Sequence, residues 1–186
     1  MDSIKDGSTG NVAEVDSKNR LRAYATIEDE ATFINRVEKE MYSGPGTALK
    51  ADTAGNYITY LKNTSTTKDL VITTIAHRCE DSNGTFAIHL NALGTPGGTL
   101  TELVPNNRNA GSNNEASVEF YQSPEITGLT NGRQVGGIFG KAGEEKELFK
   151  PLGGYILPPN ATLAIKADNN TATHYGGIAF YFRDME

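Results

Sequence analysis

Three histidines and a single cysteine are the residues of this chain best suited to metal or nucleophilic chemistry. His77 and His89 lie on neighbouring predicted strands joined by a short turn, so pairing of those strands would bring both side chains to one face of a sheet. With Asp81 they would offer two imidazoles and a carboxylate to a metal ion. Their spacing is not characteristic of metal sites, so we interpret them as ordinary strand residues and expect no metal or other cofactor. His174 has no partner that the sequence identifies.

The other residue patterns that support catalysis are weak. Cys79 lies in an apolar predicted strand, which favours a structural role, and a single cysteine excludes both a disulfide framework and a cysteine-only zinc site. No Gly-x-Ser-x-Gly nucleophile motif occurs in the sequence. A glycan hydrolase would need two acidic residues as a catalytic pair. Four glutamates are candidates, but no spacing among them singles out a pair, and they are better explained as solvated surface residues: Glu102, Glu115, Glu119 and Glu125. The sequence therefore predicts that the protein is not an enzyme.

Size and charge narrow the classes of partner. A chain of 186 residues suits one compact domain with a core of its own. The net charge of −6 has the wrong sign for neutralising nucleic-acid phosphates. No apolar run approaches the roughly 18 residues of a membrane-spanning helix, and the first residues lack the basic and apolar segments of a secretory signal. We expect a soluble protein that binds neither nucleic acid nor membrane.

Short β-rich runs separated by Gly, Asn and Pro clusters dominate the chain from Asn56 onward. This pattern predicts an all-β fold, either a sandwich or a barrel, and about nine strands fit two sheets. In the last run, Ile178, Phe180 and Phe182 are predicted to share one face. Two stretches, 105–114 and 123–146, are predicted as long loops because they are polar or rich in glycine, and 94–98 as a turn. The predicted strands are 57–62, 69–79, 85–92, 99–104, 116–121, 147–150, 154–157, 162–167 and 175–183.

One short helix is predicted over about 28–42. Thr26 and Asp29 fit a capping box at its start, and the Gly-Pro-Gly sequence at 44–46 is expected to end it. Four apolar residues recur at helical spacing and are predicted to pack the helix onto the rest of the molecule: Phe33, Ile34, Val37 and Met41.

The N-terminal residues are predicted to form an extended arm. Residues 1–17 contain too few apolar side chains to offset the entropy of ordering, so by themselves we expect them to be disordered. Residues 20–27 alternate as a strand does, which leaves two interpretations: an arm that orders on a partner, or a flexible tail followed by an edge strand. The predicted organisation is an arm over 1–27, a helix and connection over 28–46, and a sandwich over 47–186. The arm residues expected to contact a partner are Val12, Val15, Arg20, Leu21, Arg22 and Tyr24.

Several stretches of the chain are similar to structural proteins of tailed-phage virions. They are DSKNRLRAYAT at 16–26, the acidic helix start that follows it, MYSG at 41–44, YLKN at 60–63 with DLVI at 69–72, YILPPNATLAI at 155–165 and IAFYF at 178–182. The resemblance implies a jelly-roll-like β-sandwich that decorates or cements the outer surface of the capsid, commonly as a trimer. The implied partners are the major capsid protein and two further copies of the chain. No catalytic residue is implied.

Other functions stay open at this stage. A neck or tail connector is one, because 105–146 matches no feature of those capsid proteins. A carbohydrate-binding sandwich for host recognition is another, although the absence of tryptophan counts against it. Tyrosines can replace tryptophan as stacking surfaces for sugars; the candidates are Tyr42, Tyr57, Tyr60, Tyr121 and Tyr155.

Overall fold

The structure is a computed structural model of the chain. It describes residues 3–5, 12–15, 21–23 and 30–185, except 131, 144–146 and 152–153. The chain divides after Glu30 into two compact units.

The first unit contains three short antiparallel strands in sequence order. They are β1 (Ser3–Lys5), β2 (Val12–Val15) and β3 (Leu21–Ala23). Residues 3–5 and 12–15 form strands within the stretch 1–17 that the sequence predicts to be disordered by itself, and the other residues of that stretch lie outside the described residues. Of the predicted partner-binding residues, Val12 and Val15 are the first and last residues of β2, and Leu21 and Arg22 lie in β3. Arg20 and Tyr24 lie outside the described residues.

The second unit is built from fourteen described strands. In chain order they are β4 (Met41–Gly44), β5 (Ala48–Lys50), β6 (Tyr57–Asn63), β7 (Lys68–Cys79), β8 (Gly84–Leu90), β9 (Leu93–Gly97), β10 (Thr101–Glu102), β11 (Asn106–Asn107), β12 (Val118–Thr130), β13 (Arg133–Gly140), β14 (Glu147–Phe149), β15 (Tyr155–Leu157), β16 (Thr162–Ala167) and β17 (Thr173–Asp184).

These strands form two antiparallel sheets, which confirms the predicted β-sandwich. The first sheet has the order β10-β12-β6-β16-β8-β13, and β9 also pairs with β12. The second has the order β11-β4-β17-β7-β14, with β15 beside β7 and β5 beside β17. Consecutive strands such as β7 and β8 therefore lie in opposite sheets. Strand β4, from the predicted connection 28–46, belongs to the second sheet.

The main core lies between the two sheets. The predicted face of β17 is confirmed, because Ile178, Phe180 and Phe182 all join this core, while Tyr181 packs on the outer face of the sheet. Strands of both sheets contribute alternate side chains, as expected for sheets with one buried face. The largest fully buried apolar side chains are Tyr42, Phe120, Phe180, Leu61, Leu70, Ile72, Ile75, Ile88, Leu157 and Leu163.

The helix exists but is shorter than predicted. An α-helical turn, α1 (Glu30–Phe33), continues as a π-helical segment over Ile34–Glu38. Lys39 then adopts a left-handed conformation with φ 59°, and its N–H donates to Ile34 O at 2.7 Å. The predicted capping residues 26 and 29 lie outside the described residues. No helix in the described part of the chain has the length and apolar character needed to cross a membrane.

Packing of the helix is also narrower than predicted. Ile34 is 3% exposed and packs with Val71 and Tyr181 on the outer face of the second sheet, as expected. We call these three residues the outer-face cluster. The prediction is wrong for Phe33 and Val37, which are 42% and 49% exposed. Met41 does pack against this cluster, but from β4, where it is opposite Tyr181. Pairing with β17 replaces the helical conformation that the apolar spacing predicted.

The glycine-rich stretch 123–146 is largely strand, so its prediction as a loop is wrong. Strand β12 extends through Thr130, and β13 pairs with β8 along most of its length. The predicted turn at 94–98 is likewise mostly β9, paired with the end of β12. Stretch 105–114 is irregular apart from the two residues of β11. Strand β13 was not predicted because its glycines give no hydrophobic alternation, and its pairing with β8 stabilises it.

Candidate functional site

Two histidines and the cysteine meet inside the sandwich. His77 and Cys79 are two residues apart on β7, so both side chains point to the same face of the sheet. His174, on β17, is directly opposite Cys79 in the strand register. Cys79 Sγ lies 3.3 Å from His77 Nε2 and 3.7 Å from His174 Nδ1. We call these three residues the His-Cys-His cluster.

The His-Cys-His cluster is sealed from solvent. His77 and Cys79 are 0% exposed and His174 is 2% exposed. Phe86, from β8 of the facing sheet, covers both imidazoles, with ring centroids 3.7 Å from His77 and 4.3 Å from His174. The thiol is therefore not placed to attack a substrate in solution.

Two glycines of the first sheet face the cluster. Gly84 and Gly140 are opposite each other in the pairing of β8 with β13. A Cβ atom at Gly140 would lie 2.8 Å from both Cys79 Sγ and His77 Nε2. A Cβ atom at Gly84 would lie 2.7 Å from His174 Cε1 and 3.0 Å from Cys79 Sγ. Both contacts are too short for a side chain, so glycine at these positions keeps open the space beside the sulfur and ring nitrogens.

Burial sets the charge of the two histidines. Loss of solvation lowers the pKa of His77 to about 3, with a further contribution from nearby His174 and an opposing one from the backbone of Tyr175. The same effect lowers the pKa of His174 to about 4, opposed by the backbone of Asn169 and by Asp81. Both imidazoles are thus neutral at pH 7, and each keeps one nitrogen lone pair.

The grouping of His77, His89 and Asp81 considered from the sequence is wrong. His89 lies in the first sheet, where its Nδ1 is 2.9 Å from Gly132 O and its ring packs edge-on against Tyr57. Asp81 instead accepts hydrogen bonds from Thr173 N and Oγ1, which lower the pKa of its carboxyl. The reason is topological, because the chain crosses from one sheet to the other between β7 and β8.

The proximity of His77 and His174 was not predicted from the sequence. One signal was available, since the i, i+2 spacing of His77 and Cys79 within a strand places them on one face. Nothing in the sequence shows that β17 lies beside β7, and that strand order brings in the third residue.

Of the glutamates considered as a catalytic pair, Glu102 and Glu119 lie on either side of Tyr121, because Glu102 is opposite Tyr121 and Glu119 is two residues before it on β12. Glu102, Glu115 and Glu125 are exposed. Glu119 is half-buried and lies 3.4 Å from the Lys62 ammonium, as part of an ion pair between β12 and β6. Their interpretation as solvated surface residues agrees with these positions.

An open groove lies at the surface where β4 approaches β17. It has a volume of about 720 Å³ and a floor rich in glycine, and its lining residues are Ser43, Gly44, Pro45, Gly46, Arg78, Tyr175, Gly176 and Gly177. The Arg78 guanidinium lies over the Tyr175 ring, 4.9 Å from its centroid. Tyr175 Oη donates to Glu80 Oε2 at 2.7 Å. These contacts orient one aromatic ring and one cation at the groove.

The tyrosines proposed as sugar platforms lie elsewhere. Tyr42 and Tyr60 are buried, at 1% and 2% exposure. Tyr121 is half-buried and stacks on Tyr60, with ring centroids 6.4 Å apart. Tyr155 is also half-buried, and its hydroxyl donates to Val135 O at 3.4 Å. Tyr175, which the sequence analysis did not select, is the tyrosine that lines the groove.

Comparison of the chain with protein-family models, with curated proteins and with solved structures finds no significant match.

Proposed function

We propose that this chain is a non-catalytic structural protein of a tailed-phage virion that binds the major capsid protein on the outer surface of the shell as a homotrimer. The observation that carries the proposal is the division of the chain into a closed β-sandwich and a separate N-terminal unit of three short strands. The sequence resemblance to virion proteins supports the same function.

The N-terminal unit supplies a means of attachment. In the described structure, β1 and β3 each pair with β2 alone, so each has one edge where a strand of another protein can add. Where the second unit begins, Phe33 and Val37 present two large apolar side chains to solvent, four residues apart. Exposed apolar groups of this kind are typical of contact surfaces between proteins.

Repetition on a capsid makes modest contacts sufficient. A trimer that binds a lattice through three copies of one contact gains effective concentration for its second and third attachments. Each contact can then be individually weak and the whole still bind tightly. A rigid sandwich with a separate attachment unit suits this mode of binding.

The chemistry of the described residues agrees with a non-catalytic function. The nucleophile, Cys79, and the two histidines beside it are closed off by Phe86 and by the two sheets.

A binding assay with undecorated phage heads tests the proposal. The purified chain is mixed with the particles, which are then pelleted and imaged. We expect the full chain to co-sediment and to occupy regular positions on the shell as trimers. A variant without residues 1–27 and the double variant Phe33→Ser/Val37→Ser are expected to lose at least about 10-fold in affinity, which corresponds to about 1.4 kcal/mol.

Leu93→Ser is the matched control. Leu93 is 61% exposed and lies in β9 of the first sheet, whereas Phe33 and Val37 lie in the helical segment. It is expected to bind as the unaltered chain does. Full affinity after removal of 1–27 would refute the function of the N-terminal unit, and a chain that stays monomeric and ignores the heads would refute the whole proposal. Attachment only at the neck or tail would support the connector alternative.

The groove favours glycan binding as a second candidate function. Its glycine-rich floor allows a sugar ring to approach the backbone, while Tyr175 offers a ring face or edge and Arg78 offers several N–H donors. A glycan array with the full chain tests this function. Binding that disappears in Tyr175→Ala and persists in Tyr121→Ala would support it, and an array without signal would refute it.

A further inference from the structure

We propose that the His-Cys-His cluster is a buried binding site for a thiophilic d¹⁰ metal ion, Zn²⁺ or Cu⁺, coordinated by His77 Nε2, Cys79 Sγ and His174 Nδ1. This inference is independent of the capsid function. It assigns a ligand to the most enclosed group of reactive side chains in the described part of the chain.

The distances fit a shared ion. With Zn–S and Zn–N bonds of about 2.3 and 2.0 Å, a tetrahedral site holds its sulfur and nitrogen ligands about 3.5 Å apart. The observed separations from Cys79 Sγ are 3.3 Å to His77 Nε2 and 3.7 Å to His174 Nδ1. All three ligand atoms lie within 4.8 Å of one another, and two nitrogens bound to one tetrahedral ion are about 3.3 Å apart, so the two rings need to approach by up to about 1.5 Å to coordinate one ion.

The surrounding structure keeps room for the ion. The glycine pair Gly84 and Gly140 faces the sulfur, and a side-chain carbon at Gly140 would occupy the space between Cys79 Sγ and His77 Nε2. A cavity of about 20 Å³ also borders His77 and His174, with Thr59 and Gln122 in its wall. This is enough for one water molecule beside the two imidazoles, and Cys79 does not line the cavity.

The chemistry of the ligands also fits. Imidazole nitrogen and thiolate sulfur are ligands that both Zn²⁺ and Cu⁺ accept. Metal binding releases the thiol proton to solvent and leaves a thiolate with two neutral imidazoles, which carry a total charge of −1. Cu⁺ neutralises this charge fully and accepts three ligands, whereas Zn²⁺ leaves a charge of +1 and requires a fourth ligand. A buried net charge is unfavourable, so we expect Cu⁺ to bind more tightly.

The test uses the full chain, freed of metal by a chelator under reducing conditions and then loaded separately with Zn²⁺, Cu⁺ or Co²⁺. We expect one Zn²⁺ or Cu⁺ per chain after gel filtration. Co²⁺ is expected to give a thiolate-to-cobalt charge-transfer band, which must arise from Cys79 because the chain has one cysteine. Saturating metal should raise the midpoint of thermal unfolding by about 5 °C or more.

Two variants and a control locate the site. Cys79→Ser and His174→Gln are expected to weaken metal binding at least 10-fold and to abolish or change the cobalt band. His89→Gln, which alters a half-buried histidine of the other sheet, should bind as the unaltered chain does. The unaltered chain decides the question without any variant: if it takes up neither Zn²⁺ nor Cu⁺ and shows no thiolate–cobalt band, the proposal is overturned. Full-strength binding by Cys79→Ser would overturn it as well.

Discussion

Polar side chains in a protein core lower stability unless each of them finds a partner. In this sandwich, Cys79 lies within contact distance of both His77 and His174, and the aromatic ring of Phe86 covers the two imidazoles. Cys79 pairs with one nitrogen of each ring, whereas His77 Nδ1 and His174 Nε2 are buried without a hydrogen-bond partner among the described residues. Their protonation is consequently coupled to folding.

Stability of the metal-free chain is expected to decrease as the pH falls from 7 to 5. The folded-state pKa values of His77 and His174, about 3 and about 4, lie below the ordinary value near 6.5. The unfolded chain therefore binds more protons than the folded chain between pH 6.5 and 4, and stability is lost as pH decreases through that window. Urea unfolding with a chelator present should show a loss of up to about 2 kcal/mol per histidine between pH 7 and 5.

His174→Gln serves as the comparison, because it removes one of the two titrating groups and should reduce the pH dependence by about half. A free energy of unfolding that is the same at pH 7 and pH 5 would contradict the assignment of two buried neutral imidazoles.

The glycine pair gives a second prediction for single residues. Gly140→Ala places a carbon 2.8 Å from Cys79 Sγ and from His77 Nε2, so neighbouring groups must move in a closely packed interior. We expect a loss of about 1–3 kcal/mol in the free energy of unfolding, measured by urea titration. Gly111→Ala is the control, since its nearest neighbour would be Asn109 Oδ1 at 3.5 Å; an equal loss there would show that the effect is not caused by the cluster.

Among the elements, the short helix shows how one residue can hold a segment. Ile34 is the buried helical residue of the outer-face cluster, where it packs with Val71 and Tyr181, and Ala31 is partly buried against the same cluster. Ile34→Ala is expected to cost about 2–4 kcal/mol by leaving a cavity, whereas Phe33→Ala and Val37→Ala should each change stability by less than about 0.5 kcal/mol. Urea unfolding of the three variants distinguishes them, and equal effects at all three positions would contradict the described packing.

Local patterns predicted some elements well and others poorly. The alternation in β17 predicted both its extent and its buried face, because one face meets the core along the whole strand. Strand β13 was missed because Gly136, Gly137 and Gly140 carry no side chains to display an alternation, and its pairing with β8 stabilises it instead. The helix was extended too far because Met41 matches a helical spacing while hydrogen-bonding as a strand.

The candidate site was harder to predict than the fold. The sequence identified His77 and Cys79 as residues of one strand, but their third partner depends on strand order, which local patterns do not contain. Adjacent strands in sequence suggested His89, whereas the crossing between sheets separates it from His77. A site formed by strands that are distant in the sequence can be recognised only once the strand order is known.

At the scale of the whole molecule, the sandwich contains a complete core. The hydrophobic clusters of the described residues pack between and on the two sheets of the second unit. The division of the chain after Glu30 is consistent with this arrangement. Folding and attachment can therefore be separated experimentally.

A chain lacking residues 1–27 is expected to keep the free energy of unfolding of the full chain to within about 1 kcal/mol, because most stability comes from apolar burial in the sandwich. Urea unfolding followed by circular dichroism measures this, and the dependence on urea should decrease only slightly, since it scales with the surface exposed on unfolding. If the truncated chain keeps its stability and loses binding to phage heads, the N-terminal unit acts in attachment. If stability falls by several kcal/mol, the N-terminal unit is part of the folded core, and its loss of binding would be a consequence of unfolding.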